Sequence, residues 1–145
     1  PLRLVTGDPV VTNFNTYTST MSWQAYADQL STSLNGNPAG VLGHDGALWA
    51  SAAKFALLAG EGAKIAAGFK DPSSALAGGI TLGGAKYITI KADNRSLYGK
   101  KGATGVCLVK TGQTILAAQY NDQVQPGTAA NVAEKLADYL IENGC

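Results

Sequence analysis

Aromatic side chains near both ends of the chain have the types and spacing of a ligand-binding surface. Trp23 and Tyr26 stand three residues apart in the segment MSWQAY at 21–26, and on a helix this spacing puts them on one face. The chain closes with EKLADYLIENGC at 134–145, a second helical pattern, which carries Tyr139. If the two helices pack side by side, the three rings form one cluster. Such a cluster is either part of the hydrophobic core, the usual fate of large apolar groups, or a solvent-facing platform for an extended, proline-rich peptide.

A second candidate surface is basic. The cationic side chains are few, but most of them fall in the second half of the chain, at Lys86, Lys91, Arg95, Lys100, Lys101 and Lys110. They form either the solvated face of a strand or a surface that attracts an acidic partner. The formal net charge of +1 is too small to indicate a nucleic-acid partner.

The residues of an active site are missing from the sequence. His44 is the single histidine and falls in a predicted tight turn, where a polar residue is expected. Two cysteines and one histidine do not supply the four ligands of a zinc site. The glycine pair Gly83–Gly84 is part of neither a dinucleotide-binding fingerprint nor a P-loop. We therefore expect a binding protein without cofactor or metal, and not an enzyme.

Length and composition predict one globular domain. A chain of 145 residues with 46% hydrophobic residues can form a stable core without disulfide bonds or structural metal ions. We expect Cys107, in an apolar run, to be a buried free thiol rather than half of a disulfide with Cys145. No apolar run approaches the ~20 residues that span a bilayer, and no signal peptide is predicted.

The order of predicted elements indicates an α+β fold. Helical patterns cover 22–34, with Ser22 as N-cap, then 59–69, a short helix after Asp71, and 128–143 with an apolar face. Strand patterns cover 39–42, 47–51, 87–92, 96–100, 104–110 and 114–120, and a further strand begins at Ile80. Helices at both ends with consecutive hairpins between them predict an antiparallel sheet with helices packed on it.

Residues 1–20 differ from the rest of the chain. The segment 10–17 is rich in β-branched and aromatic residues and has the composition of a strand, and Met21 looks like an internal start. This extension is either a non-native addition or a native segment that docks elsewhere, and its role stays unknown. The globular domain is expected over residues 21–145.

Several motifs in order give the region 21–145 a family resemblance. Besides the two terminal segments, the motifs are LGHDGALWA at 42–50, ITLGGAKY at 80–87, RSLYGKKG at 95–102 and QPGTAAN at 125–131. Together they resemble profilin, the small actin-monomer-binding and polyproline-binding family. The resemblance implies a central antiparallel sheet with the N- and C-terminal helices on one face and shorter helices on the other.

The resemblance also implies partners and the residues that meet them. The positions matching the polyproline site are Trp23, Tyr26, Trp49, Tyr139 and Cys145, although the family usually ends in an aromatic residue rather than a cysteine. The positions matching the actin surface are Leu76, Ala77, Lys91, Lys100, Lys101, Gln125, Gly127, Asn131 and Lys135. Phosphoinositide head groups would meet Lys86, Lys91, Arg95, Lys100 and Lys101.

The implied function is that of a cytoplasmic, cytoskeletal regulator of actin polymerisation. Its partners would be monomeric actin, proline-rich proteins such as actin elongation factors, and phosphoinositides, with no nucleic acid, and the protein is expected to be a monomer. The alternative is a small-molecule or lipid-sensing α+β domain that lacks actin binding. An adaptor needs Trp23 and Trp49 partly accessible, whereas a sensor would bury them around a closed pocket.

Overall fold

A seven-stranded antiparallel sheet forms the centre of the molecule. The computed structural model describes Thr12–Asn13, Ser19–Thr20 and residues 22–145. The sheet contains β3 (Ala39–Gly43), β4 (Leu48–Ala52), β5 (Ile80–Leu82), β6 (Ala85–Ala92), β7 (Ser96–Lys101), β8 (Thr104–Lys110) and β9 (Thr114–Tyr120). Their spatial order is β4-β3-β9-β8-β7-β6-β5, so β3 pairs with the last strand of the chain. A separate pair joins β1 (Thr12–Asn13) to β2 (Ser19–Thr20). The rest of the strand predicted at 10–17 lies outside the described residues.

The first and last helices lie together on one face of this sheet. Helix α1 (Trp23–Ser33) contacts β3 and β4, and α4 (Pro126–Glu142) contacts β8 and β9. The predicted N-cap is confirmed, because the Ser22 hydroxyl accepts a hydrogen bond of 2.9 Å from the Ala25 amide. The apolar stripes of both helices, including Leu30 and Leu140, are buried against the sheet in one hydrophobic cluster.

The shorter helices cover the opposite face. Helix α2 (Glu61–Lys70) and α3 (Pro72–Gly78) enclose a second cluster that contains Phe69 and Leu97. Asp71 caps α3 as predicted, since its carboxylate accepts from the Ser74 amide. At Gly62 a Cβ atom would lie 2.0 Å from the Gly46 carbonyl oxygen, so this close approach of α2 to the β3–β4 turn requires glycine. The predicted α+β arrangement, with terminal helices on one face and shorter helices on the other, is confirmed.

The two cysteines are buried free thiols. Burial, with a smaller effect of the nearby Glu134 carboxylate, raises the pKa of Cys107 to about 12, so this thiol is protonated and unreactive at neutral pH. Among the helices of the described ranges, none has the length and apolar character that crossing a membrane requires.

Candidate functional site

Four aromatic rings run in sequence across the face that carries α1 and α4. The ring centroids are 5.5 Å apart between Trp49 and Trp23, 6.1 Å between Trp23 and Tyr26, and 6.5 Å between Tyr26 and Tyr139. All three pairs are tilted, at separations where aromatic rings attract one another. We call these four residues the aromatic array. The structure thus brings together the four aromatic residues that the sequence placed at a polyproline site.

The array is buried in its middle and open at its ends. Trp23 and Tyr26 are only 0% and 1% exposed, whereas Trp49 is half-buried and Tyr139 is 46% exposed. The core interpretation is therefore confirmed for Trp23 and Tyr26, and the platform interpretation fits Tyr139 and Trp49. The expectation that Trp23 would be partly accessible is wrong for this structure, because the side chain is 0% exposed.

A side-chain amide fixes α1 against β4 and so places Trp23 beside Trp49. The Gln24 amide nitrogen donates to the Ser51 carbonyl at 2.6 Å, and its oxygen accepts from the Ser51 amide at 3.4 Å. Gln24 follows Trp23 directly, and Ser51 lies two residues after Trp49 on β4. This two-way bond couples the helix and the strand that carry the two tryptophans.

The hydroxyl group of Tyr26 is buried and lies beside the Tyr139 hydroxyl. Within the described part of the chain its oxygen has no partner at good hydrogen-bond geometry. Burial, the neighbouring Tyr139 hydroxyl and the Cys145 thiol all raise the pKa of Tyr26 above its ordinary value. The group therefore keeps its proton at physiological pH and can donate to an acceptor that a ligand brings.

An apolar groove between α1 and α4 opens beside this hydroxyl. The cavity has a volume of about 480 Å³. We call it the interhelical groove; its lining residues are Tyr26, Gln29, Leu30, Ser33, Val132, Lys135, Leu136 and Tyr139. Tyr26 and Tyr139 belong to both features, so the groove and the aromatic array are continuous.

Cys145 does not form an open edge of the site. Its side chain is 3% exposed and packs in the same cluster as Trp23 and Tyr26. Its carbonyl oxygen accepts from the Gln113 amide at 2.6 Å and from the Thr111 hydroxyl at 2.9 Å. The last residue is therefore anchored at the β8–β9 turn and buried in the core, whereas the family resemblance had placed it at the ligand-binding surface.

Arg95, predicted to meet phosphoinositides, is already paired. Its guanidinium lies 2.9 Å from a Glu134 carboxylate oxygen and 2.8 Å from one of Asp138. Glu134 also accepts from the Ser96 hydroxyl at 2.6 Å and from the Tyr98 hydroxyl. Burial alone would raise the pKa of Glu134, but these hydrogen bonds and the Arg95 charge hold it below its ordinary value. Arg95 thus joins the β6–β7 turn to α4, and its positive charge is largely compensated.

The remaining lysines of the basic set differ in how free they are. Lys91 lies 4.0 Å from an Asp93 carboxylate oxygen and 5.1 Å from the centroid of the Tyr98 ring, a cation–π contact. Lys86, Lys100 and Lys101 are exposed, and no ion pair involves them within the described ranges. These three carry most of the uncompensated charge among the residues predicted to bind phosphoinositides.

An exposed apolar pair on β6 was missed by sequence reasoning. Ile88 is 75% exposed and Ile90 55% exposed, while Tyr87 and Thr89, which alternate with them, are buried. The Thr89 hydroxyl donates to the Ala75 carbonyl at 2.7 Å, so the face of β6 that carries Thr89 packs on α3. Because side chains alternate along a strand, Ile88 lies on the other face. The alternating pattern YITI carried the signal, because isoleucine stands at both positions that a one-sided strand would fill with polar residues.

The residues predicted to meet actin are spread over neighbouring elements. Leu76 and Ala77 are exposed on α3; Lys91, Lys100 and Lys101 lie on β6 and β7; and Gln125, Gly127 and Asn131 are exposed at the beginning of α4. Ile88 pairs with Lys100 across β6 and β7, so the exposed isoleucine stands within this set. Lys135 departs from it, because it lines the interhelical groove with Tyr139.

No cluster that could hold a metal ion occurs in the described ranges. The ring nitrogen Nε2 of His44 lies 2.8 Å from the Thr111 carbonyl oxygen, which fastens the β3–β4 turn to the end of β8. As predicted for this histidine, its role is that of a polar residue in a turn.

Comparison with known proteins gives the family. The sequence model of the family Profilin matches residues 21–145. Profilin-A of Physarum polycephalum is 60% identical over 125 residues, which cover 86% of this chain and 99% of that protein. The crystal structure of Acanthamoeba castellanii profilin II superimposes with a TM-score of 0.80 at 50% identity, over 86% of this chain and all of that one. Mouse profilin IIa, solved in complex with a double repeat from the FH1 domain of mDia1, shares the fold at a TM-score of 0.68 and 22% identity.

The chain belongs to the profilin family. The resemblance carried by the ordered motifs is thereby confirmed, and with it the class of actin-binding and polyproline-binding regulators of the cytoskeleton. The family is one of binding proteins rather than of catalysts. Family membership favours this class over the small-molecule or lipid-sensing alternative.

Proposed function

We propose that this domain binds monomeric actin and proline-rich ligands at the same time, and so brings actin subunits to proline-rich elongation factors in the cytoplasm. The observation that carries the proposal is the aromatic array, with Tyr139 and Trp49 open at its two ends and the Tyr26 hydroxyl unpaired between them. The mouse profilin solved with an FH1 double repeat shows that this fold can hold such a ligand.

The chemistry of the array suits a polyproline II helix. Such a ligand has no internal hydrogen bonds, so its carbonyl groups are bare acceptors and its rings are apolar. Tyr139 and Trp49 offer ring surfaces against which prolines can pack, and Tyr26 offers a donor that lacks a partner. Bonding a carbonyl there would satisfy a group that the free protein leaves unsatisfied.

Tyr139→Ala is expected to weaken the binding of a ten-proline peptide by about 2 kcal/mol, or roughly thirtyfold, because aromatic anchors dominate such interfaces. The fold should be retained, since the side chain is 46% exposed. Isothermal titration gives the affinity and circular dichroism checks the fold. Tyr139→Phe separates the ring from its hydroxyl and should retain most of the affinity. An unchanged dissociation constant for a folded Tyr139→Ala variant would refute the polyproline assignment.

We propose further that actin binds the exposed residues of β6 and β7 together with those at the beginning of α4. Ile88 and Ile90 form an apolar centre there, and Lys100 and Lys101 form a basic rim. An exposed apolar pair beside uncompensated lysines is the composition expected of a protein-binding surface for an acidic partner such as actin. The lysines would speed association at low salt, and the isoleucines would slow dissociation.

Ile88→Asp is expected to weaken actin binding at least tenfold while leaving polyproline affinity unchanged, because it places a charge in the apolar centre of this surface. A sequestration assay with pyrene-labelled actin gives the actin affinity. Leu48→Asp is the matched control: Leu48 is also exposed, but β4 lies at the opposite end of the sheet. If the two variants bind actin equally well, the actin surface does not lie on β6.

Phosphoinositide head groups are proposed to compete with actin for part of this surface. Lys100 and Lys101 are shared by both assignments, and Lys86 stands nearby on β6 without an ion pair among the described residues. Polybasic surfaces attract anionic lipids at a membrane. Because Arg95 and Lys91 are already paired, we assign them the smaller contribution to this binding.

A further inference from the structure

The aromatic array is shorter than the surface that a proline-rich ligand would follow. Its three centroid separations are 5.5, 6.1 and 6.5 Å. A polyproline II helix rises about 3.1 Å per residue, so the array holds no more than about six residues. Trp49 lies by the beginning of α1, and Tyr139 stands opposite Tyr26 further along. A longer ligand that passes Tyr139 therefore enters the interhelical groove.

The groove differs in chemistry from the array that leads into it. Beyond Tyr26 and Tyr139, which it shares with the array, its apolar walls are aliphatic and are formed by Leu30, Val132 and Leu136. Its polar lining side chains are Gln29, Ser33 and Lys135, and no carboxylate is among the lining residues. An aliphatic side chain fits these walls, and the single charge at the rim favours a carboxylate next to it. The unpaired Tyr26 hydroxyl at the junction gives a further reason to expect a ligand atom there.

We propose that the interhelical groove recognises the flank of the proline-rich ligand: an aliphatic side chain enters between α1 and α4, and a neighbouring acidic side chain meets Lys135. This inference rests on the proposed polyproline function and adds a preference among proline-rich partners. It also gives Lys135 a position on the ligand side of the helix, separate from the Glu134 and Asp138 side, which faces Arg95 in the β6–β7 turn.

The test compares proline peptides that differ only in their flanks. Eight prolines alone are titrated beside eight prolines with Leu–Glu, or with Leu–Lys, added at either end. In one orientation the Leu–Glu peptide should bind about three- to tenfold more tightly than prolines alone, and about two- to fivefold more tightly than the Leu–Lys peptide, the range of an exposed ion pair. The Leu–Glu advantage over Leu–Lys should shrink as the salt concentration rises.

Lys135→Glu should reverse the order of the Leu–Glu and Leu–Lys peptides and leave the affinity for prolines alone within about twofold. Lys64→Glu makes the same charge change at an exposed position on α2, on the opposite face of the sheet, and should leave the order unchanged. Equal affinities for flanked and unflanked peptides would overturn the inference while the polyproline function stands. The inference also fails if Lys135→Glu weakens all peptides alike. If prolines alone do not bind, the proposed function fails and the inference fails with it.

Discussion

Trp23→Ala should lower the free energy of unfolding by about 3–5 kcal/mol, the usual cost of removing a large buried aromatic side chain. Trp23 is 0% exposed and contacts the rings of both Tyr26 and Trp49, so its removal leaves a cavity within the array. Because a domain of this size is stable by only about 5–15 kcal/mol, the loss is large. Urea unfolding followed by circular dichroism measures it, and the melting temperature should fall by on the order of 10 °C.

Tyr139→Ala is the matched control for this prediction. It removes an aromatic ring from the same array, but from the exposed end, and should cost about 1 kcal/mol or less. Polyproline binding should be weak in both variants, for different reasons: Tyr139 contacts the ligand, whereas Trp23 positions the rings that do. If Trp23→Ala is as stable as the parent protein and yet loses peptide binding, the tryptophan is a surface anchor. Its burial then contributes nothing to the free energy of unfolding.

Local sequence patterns predicted the helices and strands well, because the residues that begin and end these elements act on their near neighbours in the chain. Ser22 and Asp71 cap helices as expected, since capping needs only a side-chain oxygen and an amide two or three residues away. The last helix begins at Pro126, two residues before the predicted start, because proline at the first turn needs no amide partner. The arrangement of helices on the two sheet faces followed from the family resemblance.

Such local patterns could not predict which of the functional side chains are buried and which are exposed. Trp23 and Tyr139 have the same aromatic character in sequence, and only the packing of α1 and α4 on the sheet buries one and exposes the other. Nothing in the sequence indicated that Arg95 is paired, because its partners Glu134 and Asp138 on α4 are 39 and 43 residues away along the chain. A register shift between Thr89 and Lys91 further obscured which face of β6 is open.

The buried carboxylate of Glu61 is another structural feature that no sequence motif indicated. One oxygen accepts from the Leu58 amide at 2.9 Å and the Gly83 amide at 2.6 Å, and the other accepts from the Gly84 amide at 2.8 Å. It ties the beginning of α2 to the β5–β6 turn, at the end of the strand that carries Ile88. Burial alone would raise the pKa of Glu61, but these three backbone hydrogen bonds hold it below its ordinary value.

Glu61→Gln is expected to cost about 2–4 kcal/mol at neutral pH, because it replaces one acceptor with an amide donor that faces a backbone N–H and removes a charge-assisted set of bonds. Since the folded-state pKa is depressed, this stabilisation is fully present above the unfolded-state value near 4.3 and is lost as the pH falls through the folded-state value. Urea unfolding at several pH values should therefore show a constant difference from the parent protein above about pH 5 that shrinks in more acidic solution.

Glu142→Gln, which neutralises an exposed carboxylate on α4, should change the stability by no more than about 0.5 kcal/mol. A Glu61→Gln deficit that stayed the same down to pH 3 would mean that the deficit comes from altered packing and that the ionised carboxylate does not hold the turn.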